Sequence, residues 1–351
     1  MLASTRAMRH SAMVLTPNFE ELRPVMELAA IWRGLVSRST RILFAGIVLT
    51  ALATENSAVQ AAQDTATVVG TDTAGGEKAA LAKPSRAGKI KRRFDQTYKL
   101  WNSELDRYVV DGNVNYGLWQ KHQEGLKRFL KQVETLSESE YESFSRHEKL
   151  AFWLNVYNAL IVKTVLDHYP INGKIAQYPK DSFRQIPNDW EAEKFKVMGK
   201  DINLYQIEHE KIRRDLSDPR THFAVVCASR SCGKLFSNPF LGKELDKQLN
   251  EAAQRFLNDS KNLELDPENG VFRVSKIFSW FTLDFASRGA SKPVFPPPGD
   301  EEIVAAFIRP YLKEGDQKKL FLILKNLKQV NFDYLPYDWS LNDTATAPLH
   351  Q

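Results

Sequence analysis

Residues 145–162 read SRHEKLAFWLNVYNALIV, and this stretch decides the fold of the 351-residue chain. Ser145 and Glu148 have the spacing of a capping box, in which each side chain accepts a hydrogen bond from the other residue's backbone N–H. Residues 150–162 are apolar on almost every side of a helix, which is typical of a helix buried in a core. The sequence therefore predicts a central buried helix that ends before Pro170.

Two asparagines interrupt this apolar helix. Asn155 and Asn158 are three residues apart, which places them about 60° from each other around the helix axis. A buried amide without a hydrogen-bond partner costs about 1–3 kcal/mol, so each must find one. They either tie the helix to neighbouring loops or line a polar site. We favour the first role and keep both as candidate binding residues.

The rest of the folded chain predicts helices first and strands later. Apolar residues recur at helical spacing over 94–108, over 116–133 and over 241–257. Glycine-containing turns predict hairpins over 194–204 and 263–274, and residues 330–334 predict a last strand. The predicted fold class is α+β, with a helix-rich N-terminal half and a central buried helix packed on a small, mainly antiparallel sheet.

The N-terminal region has the pattern of a secretory signal. Residues 42–53 form a short apolar run that follows Arg33, Arg38 and Arg41 and ends in small residues. The run is shorter than the roughly 20 residues that a membrane-spanning helix needs. We therefore expect an exported protein, periplasmic or extracellular, which contacts a membrane only if this segment stays uncleaved.

The domain boundaries follow from composition. Residues 1–61 are predicted as the signal peptide or targeting segment. Residues 62–89 contain few large apolar side chains, so we expect a disordered linker. Residues 90–342 are predicted to form a single domain, followed by a tail over 343–351.

Composition argues against a nucleic-acid partner. The chain has 48 basic and 43 acidic residues, which gives a net charge of +5. So small a positive excess affects solubility but is not the charge pattern of a nucleic-acid-binding protein. It contains no glycine-rich phosphate loop, and we predict no cofactor. The expected ligand is a small molecule, a glycan or a peptide.

Both cysteines of the chain lie in one short stretch, HFAVVCASRSCG, residues 222–233. Residues 222–226 are apolar, with aromatic and β-branched side chains, and predict a strand. Cys227 and Cys232 follow in a loop of small polar residues, and loops on a rigid support often carry reactive groups. In an extended strand, His222 and Cys227 would be about 16 Å apart and on opposite faces.

Several motifs in this chain resemble the domain of unknown function 547 family, which is known from bacteria and plants. The resemblance covers roughly residues 94–342, and it implies a shared fold and site but brings no established reaction. The family usually has proline after the second cysteine, where this chain has Gly233. The matching stretches stand in the expected order, at 151–160, 207–209, 222–232, 276–285 and 337–342.

The first functional hypothesis is a thiol-dependent hydrolase or acyl transferase. Cys227 would be the nucleophile, and His209, next to Glu208 on a predicted helix, would be its base. His222 and Ser229 would stabilise the oxyanion together with backbone N–H groups. Cys232 completes the set of candidate catalytic residues.

The second hypothesis is a non-catalytic module that binds a peptide, a glycan or a partner protein. Cys227 and Cys232 would then form a structural disulfide, as nearby thiols tend to do in an oxidising compartment. Arg230 and Asp284 join the candidate binding residues, and Asp284 is a potential buried acceptor for a histidine. The spacing of the histidines and cysteines matches no compact zinc motif, so we predict no metal site.

Export is directly testable. We expect the mature protein to begin after Ala53 or Ala61, because small residues at these positions follow the apolar run. N-terminal sequencing of the exported protein reads the terminus. An intact Met1 or Met26 terminus in the soluble exported fraction would contradict cleavage and favour an uncleaved anchor.

Overall fold

The computed structural model of the chain describes residues 94–187, 190–286, 299–325 and 330–346. The predicted signal peptide and linker lie outside these ranges. Within them, no helix has both the length and the apolar character that crossing a membrane requires.

Ten α-helices and one π-helix are described over these ranges, besides short 3-10 helices. The sixth, α6, is wound as a π-helix. The helices are α1 (Lys99–Tyr108), α2 (Tyr116–Gln120), α3 (Glu124–Thr135), α4 (Glu138–Glu142), α5 (Arg146–His168), α6 (Gln206–Leu216), α7 (Leu245–Leu257), α8 (Lys276–Trp280), α9 (Thr282–Ala286), α10 (Asp300–Ile308) and α11 (Glu314–Leu324).

The strands form three small sheets. β1 pairs with β2 and β3 with β4, each pair antiparallel, while β6 lies between antiparallel β5 and parallel β7. The predicted α+β class is confirmed by the described helices and by these small, mainly antiparallel sheets. The strands are β1 (Val109–Val110), β2 (Asn113–Val114), β3 (Phe195–Val197), β4 (Lys200–Ile202), β5 (Leu263–Asp266), β6 (Val271–Ser275) and β7 (Asn331–Leu335).

Helix α5 is the predicted central helix. The Ser145 side chain accepts from the Glu148 N–H at 3.2 Å, and the Glu148 carboxylate accepts from the Ser145 N–H at 2.8 Å, so the capping box is present. Residues 150–162 are all buried. The helix packs against α2, α3 and α6, so its apolar surface is enclosed largely by other helices.

Both predicted hairpins are confirmed. In the first, Met198 and Gly199 join β3 to β4 with φ values of 52° and 72°. Two positive φ angles in a two-residue turn are typical of type I′, whose twist matches that of the paired strands. The predicted last strand is β7, which pairs in parallel with β6.

Two helix predictions differ from the structure in their extent. The predicted helix over 116–133 is divided into α2 and α3, with the His122 carbonyl accepting from the Tyr108 hydroxyl at 3.3 Å between them. Helix α7 begins at Leu245, four residues after the predicted Leu241. The Leu241 N–H instead donates to the Gln248 side chain at 2.8 Å.

The predicted strand over 222–226 is wrong. Residues Pro219–Phe223 form a 3-10 helix, which the Asp218 side chain caps by accepting from the Arg220 N–H at 3.0 Å, with proline at its first position. Residues 224–226 are irregular. A short apolar run is consistent with either a strand or another buried segment, and periodicity alone does not separate them.

The capping box gives a stability prediction. Replacing Ser145 by Ala removes the acceptor for the Glu148 N–H and should lower the free energy of unfolding by about 0.5–2 kcal/mol. Urea unfolding measures the change. The control is Ser103→Ala on the exposed side of α1, where Ala is a better helix former and removes no cap. Equal urea midpoints for S145A and S103A would contradict the prediction.

Candidate functional site

A C-terminal segment pairs with the cysteine loop. We call residues 337–343 the strap and residues 227–232 the cysteine loop. An antiparallel bridge between Ser229 and Leu341 sets their register. Three backbone hydrogen bonds complete the pairing: Arg230 N–H to Ser340 C=O at 3.0 Å, Ser231 N–H to Asp338 C=O at 3.2 Å, and Asn342 N–H to Ala228 C=O at 2.9 Å.

The two asparagines of α5 hold the segments on either side of the cysteine loop. The Asn158 amide donates to the Ala224 C=O at 2.9 Å and accepts from the Val226 N–H at 3.0 Å. Asn155 makes the same pair of bonds with the backbone of Phe240, at 2.8 and 2.9 Å. Both amides therefore satisfy buried backbone groups, which is the tying role that we favoured from the sequence.

The Cys227 thiol lies in a compact group of polar side chains. Its sulfur is 2.9 Å from Ser229 Oγ and 3.2 Å from Tyr337 Oη, and Ser229 Oγ donates to Tyr337 Oη at 3.0 Å. The Cys227 N–H donates to Cys232 Sγ at 3.1 Å. Both cysteines are free thiols, with Cys227 partly exposed and Cys232 buried. We call Cys227, Ser229, Cys232 and Tyr337 the thiol cluster.

The surroundings of the two cysteines shift their pKa values in opposite directions. Burial raises the pKa of Cys227, but hydrogen bonds from Cys232, Ser229 and Tyr337 outweigh it and lower the pKa to about 7. The hydrogen bond to Cys227, together with burial, raises the pKa of Cys232. Burial also raises the pKa of Tyr337, and the nearby cysteines raise it further. Cys227 is therefore the group that ionises first, while Cys232 and Tyr337 keep their protons.

The backbone around the thiol cluster is unusually constrained. Ala228, directly after the nucleophile candidate, has φ of 58°, a left-handed conformation that costs a residue with a side chain about 1–3 kcal/mol. Gly233 packs so closely on the 3-10 helix that a Cβ atom would lie 2.4 Å from the Phe223 carbonyl oxygen. The proline usual in the family carries such a Cβ atom and would require the chain to move here.

The two candidate histidines lie in a second group. His222 Nε2 is 2.7 Å from Asp284 Oδ2, and the Arg213 guanidinium bonds both oxygens of the same carboxylate, at 2.6 and 3.2 Å. Arg213 also bonds His209 Nδ1. The His222 ring stacks on Phe281, with 4.2 Å between the centroids. We call His209, Arg213, His222 and Asp284 the histidine cluster.

Arg213 determines the tautomer of His209. A guanidinium can only donate, so Nδ1 must accept, and the proton of a neutral imidazole must then be on Nε2. Burial lowers the pKa of His209, and the charge of Arg213 lowers it further. His209 is therefore neutral and a hydrogen-bond donor at Nε2. Because Nδ1 already accepts from Arg213, neither ring nitrogen has a free lone pair with which to act as a general base.

The structure does not bring the sequence-predicted base to the nucleophile. Among the described residues, no histidine makes a hydrogen bond with Cys227. Glu208 is also directed elsewhere, since its carboxylate accepts from the buried Tyr157 hydroxyl at 2.6 Å. Arg230 contacts the strap through its backbone N–H. Of the predicted catalytic residues, Cys227, Ser229 and Cys232 are together, whereas His209 and His222 lie in the histidine cluster.

An aromatic surface connects the two clusters. Trp280 packs on Tyr337 and Trp339, with centroid distances of 4.9 and 5.6 Å, and is 41% exposed. Its neighbour Phe281 stacks on His222 in the histidine cluster. Farther out, Tyr178 contacts Trp339 at 5.8 Å. We call Tyr178, Trp280, Tyr337 and Trp339 the aromatic surface.

Sequence reasoning did not assign Tyr337 or Arg213 to the site. Tyr337 belongs to a family motif, but its contact with Cys227 spans 110 positions, and no spacing rule predicts such a pair. The contact of Arg213 with His209 could have been predicted. Arg213 follows His209 by four positions, and residues four positions apart on a helix are neighbours. Within the described ranges, no group of three or more His, Cys, Asp or Glu residues is arranged to hold a metal ion.

The fold and site define an α+β protein with a strap-bound loop that carries two free thiols. Residues 141–257 match the family described as "Protein of unknown function, DUF547". The matched segment contains α5, α6 and the cysteine loop, so the resemblance found in the sequence motifs is confirmed over these residues. Comparison with curated proteins and with solved structures gives no match.

The histidine cluster gives a pH-dependent prediction. Burial raises the pKa of Asp284, but hydrogen bonds from His222 and Arg213 hold it well below its ordinary value of 3.8. The charged carboxylate therefore stabilises the fold above about pH 4, and this contribution is lost as the pH falls through the folded-state pKa. Asp284→Asn should lower the unfolding free energy at pH 7 by about 1–3 kcal/mol, because the Arg213 guanidinium loses its charged acceptor.

Urea unfolding at pH 7 and at about pH 3 tests this dependence. The difference between wild type and D284N should be smaller at the acidic pH, where part of the wild-type contribution is lost. Asp106→Asn, on the exposed face of α1, is the control for loss of one negative charge. A D284N effect equal to that of D106N at neutral pH would show that the carboxylate does not support the cluster.

Proposed function

We propose that the protein is a thiol-dependent hydrolase or acyl transferase in which Cys227 is the nucleophile. One observation carries this proposal: Cys227 is a partly exposed thiol whose ionised form is stabilised by several hydrogen-bond donors. The thiolate is the reactive form of cysteine, and lowering its pKa is one of the two usual routes to activation. A histidine base in direct contact is the other route, and the proposal does not need it.

Tyr337 is the proposed proton carrier of the reaction. Its hydroxyl contacts Cys227 Sγ at 3.2 Å and accepts from Ser229 Oγ, so it lies beside any carbonyl that the thiolate attacks. Because its pKa is raised, it holds its proton until a more basic group forms next to it. A leaving alkoxide or amine is such a group.

The proposed reaction has two steps, and Tyr337 gives up a proton in the first and regains one in the second. The Cys227 thiolate attacks the carbonyl carbon of an ester or amide and forms a tetrahedral oxyanion, towards which Ser229 and backbone N–H groups donate. The leaving group departs with the proton of Tyr337, which leaves a thioester on Cys227 and a tyrosinate. The tyrosinate then takes a proton from water or from another acyl acceptor, which attacks the thioester and restores the thiolate.

The histidine cluster has a positioning role in this proposal. His222 is fixed between Asp284 and Phe281, and Phe281 is joined to Trp280 of the aromatic surface. His209, a donor at Nε2, is the member of the cluster suited to hold a substrate oxygen. The role of general base, which the sequence suggested for it, is transferred to Tyr337.

The aromatic surface favours a second candidate function, that of a binding module. Trp280 is 41% exposed and Leu283, on the adjacent helix α9, is 83% exposed. Exposed apolar groups of this kind mark interaction sites, and Trp and Tyr are enriched among the residues that dominate binding energy. A peptide or a glycan on this surface would lie next to Cys227 whether or not the thiol reacts. Export, proposed from the N-terminal sequence, is compatible with both functions.

Alkylation by iodoacetamide distinguishes an activated thiol from an ordinary one. Labelling of Cys227 should titrate below pH 8.5, the ordinary thiol pKa, because its neighbours stabilise the thiolate. Tyr337→Phe should raise that midpoint by about one pH unit or more, since a hydrogen bond to a charged group is worth about 1.5–3 kcal/mol. His209→Ala should leave it unchanged, because His209 makes no bond to the thiol. Mass spectrometry reads the two cysteines separately.

The matched control for Y337F is Tyr334→Phe, which removes a hydroxyl that bonds Asp300 instead of the thiol. An ordinary titration of Cys227 that Y337F does not change would refute the activated nucleophile and leave the binding module. A midpoint that rises in H209A would restore the histidine as the activating group.

A further inference from the structure

We infer that Cys227 and Cys232 form a reversible dithiol pair that exchanges electrons with small disulfides. This activity requires no acyl substrate and is independent of the proposed hydrolase or transferase reaction. It also differs from a structural disulfide, because the bond between the two cysteines would form and be reduced reversibly.

The first support is the geometry of the loop. Cys232 Sγ is 3.1 Å from the Cys227 backbone nitrogen, and the two side chains are hydrogen bonded to each other. The Cys232 N–H donates to the Ser229 C=O at 3.2 Å, which is the turn that brings the second cysteine back to the first. The two thiols are therefore neighbours in the reduced protein.

The second support is the unequal exposure of the two thiols. Cys227 is partly exposed and can meet a disulfide that arrives from solvent. Cys232 is only 8% exposed and is reached most easily by Cys227 itself. An accessible attacking thiol beside a protected resolving thiol is the arrangement that dithiol exchange needs. The lowered pKa of Cys227 and the raised pKa of Cys232 agree with these roles.

The third support is the hydrogen bonding of the reduced form. Ser229 and Tyr337 contact the Cys227 sulfur and stabilise its thiolate. Closing the disulfide removes the charge that these groups stabilise. A pair whose reduced form is stabilised in this way is a relatively oxidising one, and its disulfide is readily reduced again. The geometry therefore favours reversibility over a permanent crosslink.

The exchange proceeds in two displacements. The Cys227 thiolate attacks one sulfur of the small disulfide, a mixed disulfide forms, and the first small thiolate departs. Cys232 then loses its proton, attacks Cys227 Sγ and expels the second small thiolate. The protein loses two electrons and the protons of its two thiols, and these reduce the small disulfide to two small thiols. Two equivalents of a small thiol drive the reverse reaction.

The test uses the purified full-length chain in buffers of oxidised and reduced glutathione. The chain has two cysteines, so every change in thiol content comes from this pair. After acid quenching and alkylation, mass spectrometry should show the dithiol at reducing ratios and the intramolecular disulfide at oxidising ratios, with the same midpoint from both directions. A protein that remains a dithiol at every ratio would overturn the inference.

Two variants separate the roles of the thiols. Cys232→Ser should accumulate a glutathione adduct on Cys227, because the resolving thiol is gone. Cys227→Ser should acquire the adduct at least tenfold more slowly, because the remaining thiol is buried. Equal adduct levels in C232S and wild type would show that no resolution occurs and would refute the pair. None of these measurements involves acyl transfer, so their failure would not be confused with failure of the proposed enzyme activity.

Discussion

The amide of Asn158 is the interaction on which the site depends. Residues 224–226 are buried and irregular. The Thr221 carbonyl accepts from the Ala224 and Val225 N–H groups, which leaves the Ala224 carbonyl and the Val226 N–H to be satisfied. The Asn158 side chain bonds the Ala224 carbonyl and the Val226 N–H, as a neighbouring strand would, from a helix that is buried on all sides. Each group left without a partner would cost about 1–3 kcal/mol. Because Cys227 directly follows Val226, this one side chain fixes the position of the thiol relative to the core.

The helices and hairpins were predictable because their signals are local. The capping box and the apolar run specify α5, and the glycine turn specifies the first hairpin, without knowledge of any distant residue. Residues 222 and 223 belong to the 3-10 helix that follows Asp218, and the Ala224 carbonyl and Val226 N–H are held by Asn158, which is 68 positions away from Val226. The sequence shows that these residues are buried, but it does not show which partner satisfies their backbone. The strand prediction failed for this reason.

The difference between local and long-range signals also explains which parts of the site were predictable. The loop containing Cys227, Ser229 and Cys232 was predictable because its members are close in sequence. The choice of base was not, since it depends on which side chains meet across the fold. His209 was a reasonable candidate by residue type, but Arg213 occupies its Nδ1 and fixes the proton on the other nitrogen. Tyr337 replaces it in our proposal because the strap pairs with the cysteine loop, and that pairing leaves no local pattern.

The pairing of the strap with the cysteine loop also has a consequence for biosynthesis. Cys227 emerges from the ribosome 110 residues before Tyr337, so the nascent chain carries Cys227 through that part of synthesis without one of the groups that lower its pKa. The family match ends at residue 257, well before the strap. A chain halted between these points would contain the matched segment with an incompletely activated thiol. The order of synthesis thus makes the Cys227–Tyr337 contact a late step in the assembly of the site, which is complete only once the strap has been made.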